Sequence, residues 1–461
     1  MKRKKDYRIV YKVIAIFVLI ALILGAIFYQ IRLAGEGETT IEANELKGQI
    51  IAVNDQTLTL RNDKNVVYTL DLQAAKIVGD EMQFGSLATI SYTGDLVEGN
   101  SIQDIDVLKV SVQATQVRNG GSENTDSTVA SKEIAQKVQA MTLEQKVAQM
   151  FMAICPKHDA VSLLNQYPLG GYVLTARDFE NKSRETVIAN IKTYQATGTI
   201  PLLIAVNEEG GDVVSVSNNL RNNPFNLPQE VFAAGGMDAI IADATEKSEF
   251  LKEFGINANL GPVVDVATSE DDYIYPRSFG SNANETGEYV KNVIEAMNSV
   301  KMGSVLKHFP GYGNAPDNSD TIYHDSRDFD TFKNNDFIPF KAGIGAGANA
   351  ILVNHNVIDA LDDQNPASLS PTLIKVLRNE LSYQGVIMTG DLSDGGVAAF
   401  GSTGEVAKKA ALAGNDMLIT SNPQEHLSAV ITAAQNNEIC LNQIDHSVMR
   451  ILTWKSQLGI L

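Results

Sequence analysis

Between residue 39 and about residue 112, apolar and polar positions alternate in short segments broken by turn residues. Gln49-Ile50-Ile51-Ala52-Val53, Thr57-Leu58-Thr59-Leu60, Val66-Val67-Tyr68-Thr69-Leu70, Leu87-Ala88-Thr89-Ile90-Ser91-Tyr92 and residues 107–112 predict strands. Asn54-Asp55 and Asp63-Lys64-Asn65 predict hairpin turns between the first three. Strands this short and this closely spaced predict a small all-β domain over 39–112, an antiparallel barrel or sandwich. It carries no catalytic cluster and reads as a spacer or docking module. Residues 113–132, QATQVRNGGSENTDSTVASK, are polar and almost free of bulky apolar side chains, which predicts a flexible linker.

From 133 to 461 the rhythm becomes strand–helix alternation. Continuous apolar runs with the length of buried parallel strands occur at 151–155, 171–175, 202–206, 257–266, 304–308, 350–354, 386–389 and 417–420. Helical patterns lie between most of them, as at 290–301 and 403–413, and a further one at 134–150 leads into the first. This is the pattern of an α/β fold, a (β/α)8 TIM-type barrel, with a doubly wound open sheet as the alternative. In a barrel the chemistry belongs at the carboxyl ends of the strands. The polar residues collect there: Asn207-Glu208-Glu209-Gly210-Gly211 after the third run, Asp265 at the end of the fourth, Lys307-His308 closing the fifth, His355 after the sixth and Asp391 after the seventh.

The amino-terminal thirty residues follow neither pattern. Lys2, Arg3, Lys4, Lys5, Arg8 and Lys12 precede an almost unbroken apolar run over 13–29. About 17 to 20 apolar residues suffice for a helix to cross a bilayer. The basic flank predicts a cytoplasmic tail over 1–12, a single-pass anchor in the lipid bilayer over 13–31, and everything after it outside the cell membrane. A cleaved signal peptide is the alternative, but no convincing small-x-small site follows the run.

The net charge of -18 argues against a nucleic-acid partner, whose phosphates reward clustered Lys and Arg. Two cysteines, Cys155 and Cys440, exclude a disulfide framework, and Cys155 at the end of an apolar run reads as a buried thiol. The glycine-rich segments lack a phosphate-loop pattern and the histidines lack paired ligand spacing, so no metal or cofactor is expected.

A Lys and an Arg among hydrogen-bond acceptors suit a hydroxyl-rich, neutral ligand such as a sugar. Read as ordinary structure, Glu208-Glu209-Gly210-Gly211 is a solvated turn, and His308 and His355 are core histidines that tie down loops. Against that stands a set of longer motifs. Met141-Thr142-Leu143-Glu144-Gln145-Lys146, Ala205-Val206-Asn207-Glu208-Glu209-Gly210-Gly211, Asn259 through Val266, Arg277-Ser278-Phe279-Gly280 and Lys307-His308-Phe309-Pro310-Gly311-Tyr312-Gly313 occur in one order. From about residue 141 to the carboxyl terminus, the chain resembles glycoside hydrolase family 3, specifically the single-barrel β-N-acetylhexosaminidases. The resemblance does not reach the amino-terminal run or the small β domain.

The resemblance implies that Arg277, Lys307 and His308 hold an amino sugar. Asn207 stands where the family has a sugar-binding Asp, and Ser215 where an Arg commonly follows. The family's acid/base is the His of an Asp-(Ser/Thr)-His element, which falls on Asp317-Asn318-Ser319, so Ser319 occupies the acid/base position. A serine hydroxyl has no pKa near neutrality with which to replace an imidazole. The family's nucleophile is the first Asp of a (Ser/Thr)-Asp strand end, and here Gly390 occupies it. Asp391, one residue on, is expected by strand alternation to point the other way unless a bulge re-aims it.

Three readings stay open. One is a pseudoenzyme that binds N-acetylglucosamine-containing glycans such as peptidoglycan fragments. A second is an active retaining hexosaminidase with relocated groups, Asp391 as nucleophile and Asp320 or His324 as acid/base. The third is a scaffold at the membrane face.

Overall fold

The computed structural model describes residues 43–53, 57–62, 66–72, 75–79, 82, 86–96, 99–102, 105–113, 125–316 and 321–461. The expected tail and anchor, 1–12 and 13–31, lie outside them. Among the described residues no helix is long and apolar enough to cross a membrane. The chain divides into two compact units that meet in sequence at Gly120/Gly121.

The amino-terminal unit is a seven-stranded sheet. Its strands are Asn44–Val53, Thr57–Arg61, Val67–Asp71, Lys76–Gly79, Leu87–Thr93, Gly99–Ile102 and Asp106–Gln113, in the spatial order fourth, seventh, fifth, first, second, third, sixth. Period-two alternation places Leu58, Leu60, Leu70, Ala88, Ile90, Val110 and Val112 in one apolar core. The sheet is not purely antiparallel. Gly99–Ile102 pairs in parallel with Val67–Asp71, and Lys76–Gly79 in parallel with Asp106–Gln113. Lys76–Gly79 and Gly99–Ile102 are too short and too little apolar to show a hydrophobic alternation, which is why the sequence pattern misses them. Among the described residues, the hydrogen-bonded order does not close into a barrel.

A helix, Thr125–Ala140, opens the second unit, so the last part of the expected linker is helical. The single helix expected over 134–150 is two helices, Thr125–Ala140 and Leu143–Gln149. Thr142 breaks it with a capping box: its hydroxyl accepts from Gln145 N at 3.2 Å, and Gln145 Oε1 accepts from Thr142 N at 2.9 Å.

Eight parallel strands then close on one another, so the barrel, not the open sheet, is the architecture. We number them β1 (Phe151–Ile154), β2 (Gly171–Leu174), β3 (Leu203–Val206), β4 (Ala258–Asn259), β5 (Gly303–Phe309), β6 (Ala350–Val353), β7 (Val386–Asp391) and β8 (Met417–Thr420). Strands buried on both faces need continuous apolar runs, and β2, β3, β6 and β8 are buried at every residue. β4 is shorter than its apolar run. The chain leaves the ladder at Leu260-Gly261-Pro262, and a lone bridge from Val263 to Lys307 keeps it against β5. Cys155 is buried beside this core, its thiol pushed up to about 12 by desolvation.

At the carboxyl-terminal mouth, a small sheet of His324–Asp325, Val357–Ile358 and Asp362–Pro366 ties the loop after β5 to the loop after β6.

Candidate functional site

The chain after β3 does not form a solvated turn. Glu208 and Glu209 are both buried. Glu208 is structural: its carboxylate accepts from the backbone of Val216 at 2.7 Å and Ser217 at 3.1 Å, while burial raises its pKa. Gly210 follows at φ +121°, and a Cβ there would lie 2.0 Å from Asn226 O, so only glycine lets the chain turn here.

Glu209 is the hub of the site. Its Oε2 accepts from Arg277 Nε at 2.9 Å, and its Oε1 accepts from Arg277 Nη2 at 2.8 Å and from Lys307 Nζ at 2.5 Å. Burial alone would raise its pKa, but Lys307 and Arg277 overcome that and hold it at about 2. Lys307 also donates to Asn207 Oδ1 at 2.9 Å. Burial lowers the Lys307 pKa against the opposing pull of Glu209. An aspartate at 207 would put a second carboxylate on this ammonium, whereas the amide of Asn207 fills the same acceptor role without charge. With Asp265, the cluster then holds two carboxylates and two cations.

Asp265 positions His308. Its Oδ2 accepts from His308 Nδ1 at 2.8 Å and from His308 N at 3.1 Å, and its Oδ1 accepts from Tyr312 N at 2.7 Å. Burial outweighs Asp265 and lowers the His308 pKa, so the ring is neutral. This network assigns its proton to Nδ1 and leaves Nε2 as an acceptor, 3.4 Å from Arg277 Nη2. The structure therefore brings together Asn207, Lys307 and His308 from strand ends and Arg277 from a short helical turn in the loop after β4. Glu209 and Asp265, to which no sequence motif gives a role, hold them there.

The loop after β5 is clamped from below. Arg327 donates to Asp325 and Asp336, with Nη1 3.0 Å from Asp336 Oδ1, and its Nη2 reaches Gly311 O at 3.3 Å. Burial opposes the charge of Arg327, yet the two carboxylates raise its pKa further.

The opposite wall differs in kind. Gly390 and Asp391 belong to β7, and the register against β8 shifts between Met388 and Asp391. This is the irregularity that could have re-aimed Asp391. Instead it delivers the carboxylate to the end of β8. Asp391 Oδ1 accepts from Ser393 N at 2.9 Å and from Ser421 N at 3.0 Å, and Ser421 Oγ donates to Oδ2. The side-chain direction at Gly390 is also taken: a Cβ there would come 2.6 Å from His355 Nε2. His355 is buried, its Nδ1 2.7 Å from Ser368 Oγ, and burial lowers its pKa to about 4.

His324 lies in the mouth sheet, largely exposed, with Nδ1 2.8 Å from Asp359 Oδ1. Ser319 and Asp320, the other acid/base candidates, lie outside the described residues together with Asp317 and Asn318. Among the described residues no group of three His, Cys, Asp or Glu could hold a metal ion.

Residues 142–454 match the glycosyl hydrolase family 3 N-terminal domain. The chain is 30% identical over 281 residues to a β-hexosaminidase of Tolumonas auensis, covering 59% of this chain and 82% of that one. It is 31% identical over 302 residues to a β-hexosaminidase of Haemophilus influenzae, covering 62% and 81%. Among solved structures, a family 3 β-N-acetylglucosaminidase from a Paenibacillus species superposes with a TM-score of 0.65 at 26% identity. That match covers 70% of this chain and 63% of the other. A β-N-acetylhexosaminidase from Beutenbergia cavernae gives 0.62 at 27% identity, over 68% and 99% of the two chains.

Proposed function

The chain belongs to glycosyl hydrolase family 3, and on that footing we propose that it grips an N-acetylglucosamine-containing glycan at the mouth of the barrel without hydrolysing it. One observation carries this reading: an intact charged cluster on one wall faces a wall where the nucleophile has no counterpart. Glu209 holds Arg277 and Lys307 in fixed positions, and neutral His308 completes a set of charge-assisted donors and one acceptor suited to sugar hydroxyls. At Gly390 there is no carboxylate, His355 fills the direction it would take, and Asp391 is committed to Ser421 and Ser393. A retaining mechanism needs a carboxylate that can reach the anomeric carbon. The β-hexosaminidases among its relatives support an amino sugar as the ligand class.

The reading extends to the cell surface. With residues 13–31 as an uncleaved anchor and the tail 1–12 in the cytoplasm, the barrel stands outside, where peptidoglycan fragments are the amino-sugar glycans within reach.

Calorimetry with N-acetylglucosamine and with muropeptides tests the binding. The wild-type chain is expected to give a heat of binding that Arg277→Ala abolishes. No heat from either ligand, or no effect of Arg277→Ala, would remove the proposal.

A second reading rests on His324. Its pairing with Asp359 supplies a carboxylate-backed imidazole at the mouth, the form a general acid/base takes. It still lacks a nucleophile, which is why we place it second.

A further inference from the structure

We propose that Tyr273 is the platform of a second sugar subsite, so that the site takes an amino-sugar oligomer in preference to a single ring. This rests on the amino-sugar reading above.

The segment between Asp265 and Arg277 starts and ends in the charged cluster, so it borders the proposed sugar site. It is anchored: Ala267 and Ile274 are buried in a small apolar cluster with Val263, Tyr312 and Ala315. Tyr273, next to fully buried Ile274, is left 41% exposed. Its ring lies against Tyr312, centroids 5.8 Å apart and tilted by 34°. Tyr312 in turn stands edge-on to His308 at 5.7 Å and 67°.

A row of rings thus leads from His308 outward, buried at Tyr312 and exposed at Tyr273. A flat aromatic face at the edge of a polar site is what the apolar face of a pyranose packs on, and two side-chain torsions make the ordering cost small. The bland alternative for an exposed tyrosine is incidental surface. That does not account for its being held by Tyr312, which is itself fixed through its backbone to Asp265, the residue that positions His308. Glu270 and Asp271, exposed three and two residues before Tyr273 in the same segment, favour a neutral second ring.

The test is calorimetry of the full chain with N-acetylglucosamine and with N,N'-diacetylchitobiose, for wild type, Tyr273→Ala, Tyr273→Trp and Lys307→Met. Wild type is expected to bind the disaccharide about tenfold more tightly than the monosaccharide. Tyr273→Ala should bring that ratio to about one and Tyr273→Trp should keep it, while Lys307→Met weakens both ligands alike. A disaccharide preference that survives Tyr273→Ala, or no preference in wild type, overturns the subsite. If wild type binds neither sugar, the amino-sugar reading fails first and the subsite falls with it. Melting curves confirm that Tyr273→Ala is folded, as its exposure predicts.

Discussion

Glu209 is a carboxylate buried beneath two cations, and its energetics follow from that. Removing one partner leaves uncompensated charge in a low-dielectric site, a loss of about 3–5 kcal/mol. Lys307→Met should therefore lower the melting temperature sharply, and the Glu209→Gln/Lys307→Met double variant should recover part of it. Equal melting of the single and double variants would mean that Glu209 is not the hub. The pH dependence has a definite sign. The folded pKa of about 2 lies below the ordinary 4.5, so this stabilisation is fully present above pH 4.5 and is lost as pH falls toward 2. The loss is about 3 kcal/mol, and acid unfolding of Glu209→Gln should lack it. Arg277, Lys307 and His308 were legible in the sequence because each sits in a compact local motif. Glu209 and Asp265 carry no such signal, because contacts such as Arg277–Glu209 join residues 68 positions apart, which no local pattern encodes.

At the scale of elements, the proposed loss of hydrolysis rests on β7. A Cβ at residue 390 would sit 2.6 Å from His355 Nε2, so Gly390→Ala should destabilise by about 1–3 kcal/mol. In a His355→Ala background that cost should largely vanish, which a double-mutant cycle followed by thermal melting measures. Additive effects would show that the two positions do not meet. On the proposed reading, Gly390→Asp alone should give no aryl release, because the His355 imidazole crowds the direction its carboxylate would take. The barrel strands were legible because two-sided burial demands continuous apolar runs. Less legible were features set by single side chains. The Thr142 cap divides a periodic pattern that reads as one helix, and Thr142→Ala should weaken Leu143–Gln149 by about 1 kcal/mol. Strand alternation lets a bulge re-aim Asp391, and the fold shows that the irregularity in β7 leads it to Ser421.

For the barrel unit as a whole, stability and function pull on different groups. Lys455 is fully buried, donates to Gln149 Oε1 at 2.7 Å, and burial lowers its pKa to about 7. Its folded pKa lies below the ordinary 10.5, so the unfolded chain binds more protons between the two values, and stability should rise with pH from about 7 to 10.5. Lys455→Met should melt higher than wild type at pH 7 and lose that rise, as urea unfolding across the range would show. The site has the opposite logic: its cations are matched by carboxylates, and the proposed reading is that it binds the sugar without a nucleophile. The most direct test of that account is to incubate the full chain at high concentration with an aryl N-acetylglucosaminide and follow aryl release alongside binding. Saturable binding that Lys307→Met weakens, with no aryl group released, is the expected result. Release in proportion to protein concentration, abolished by Asp391→Ala or His324→Ala, would contradict it and make the chain an active glycosidase.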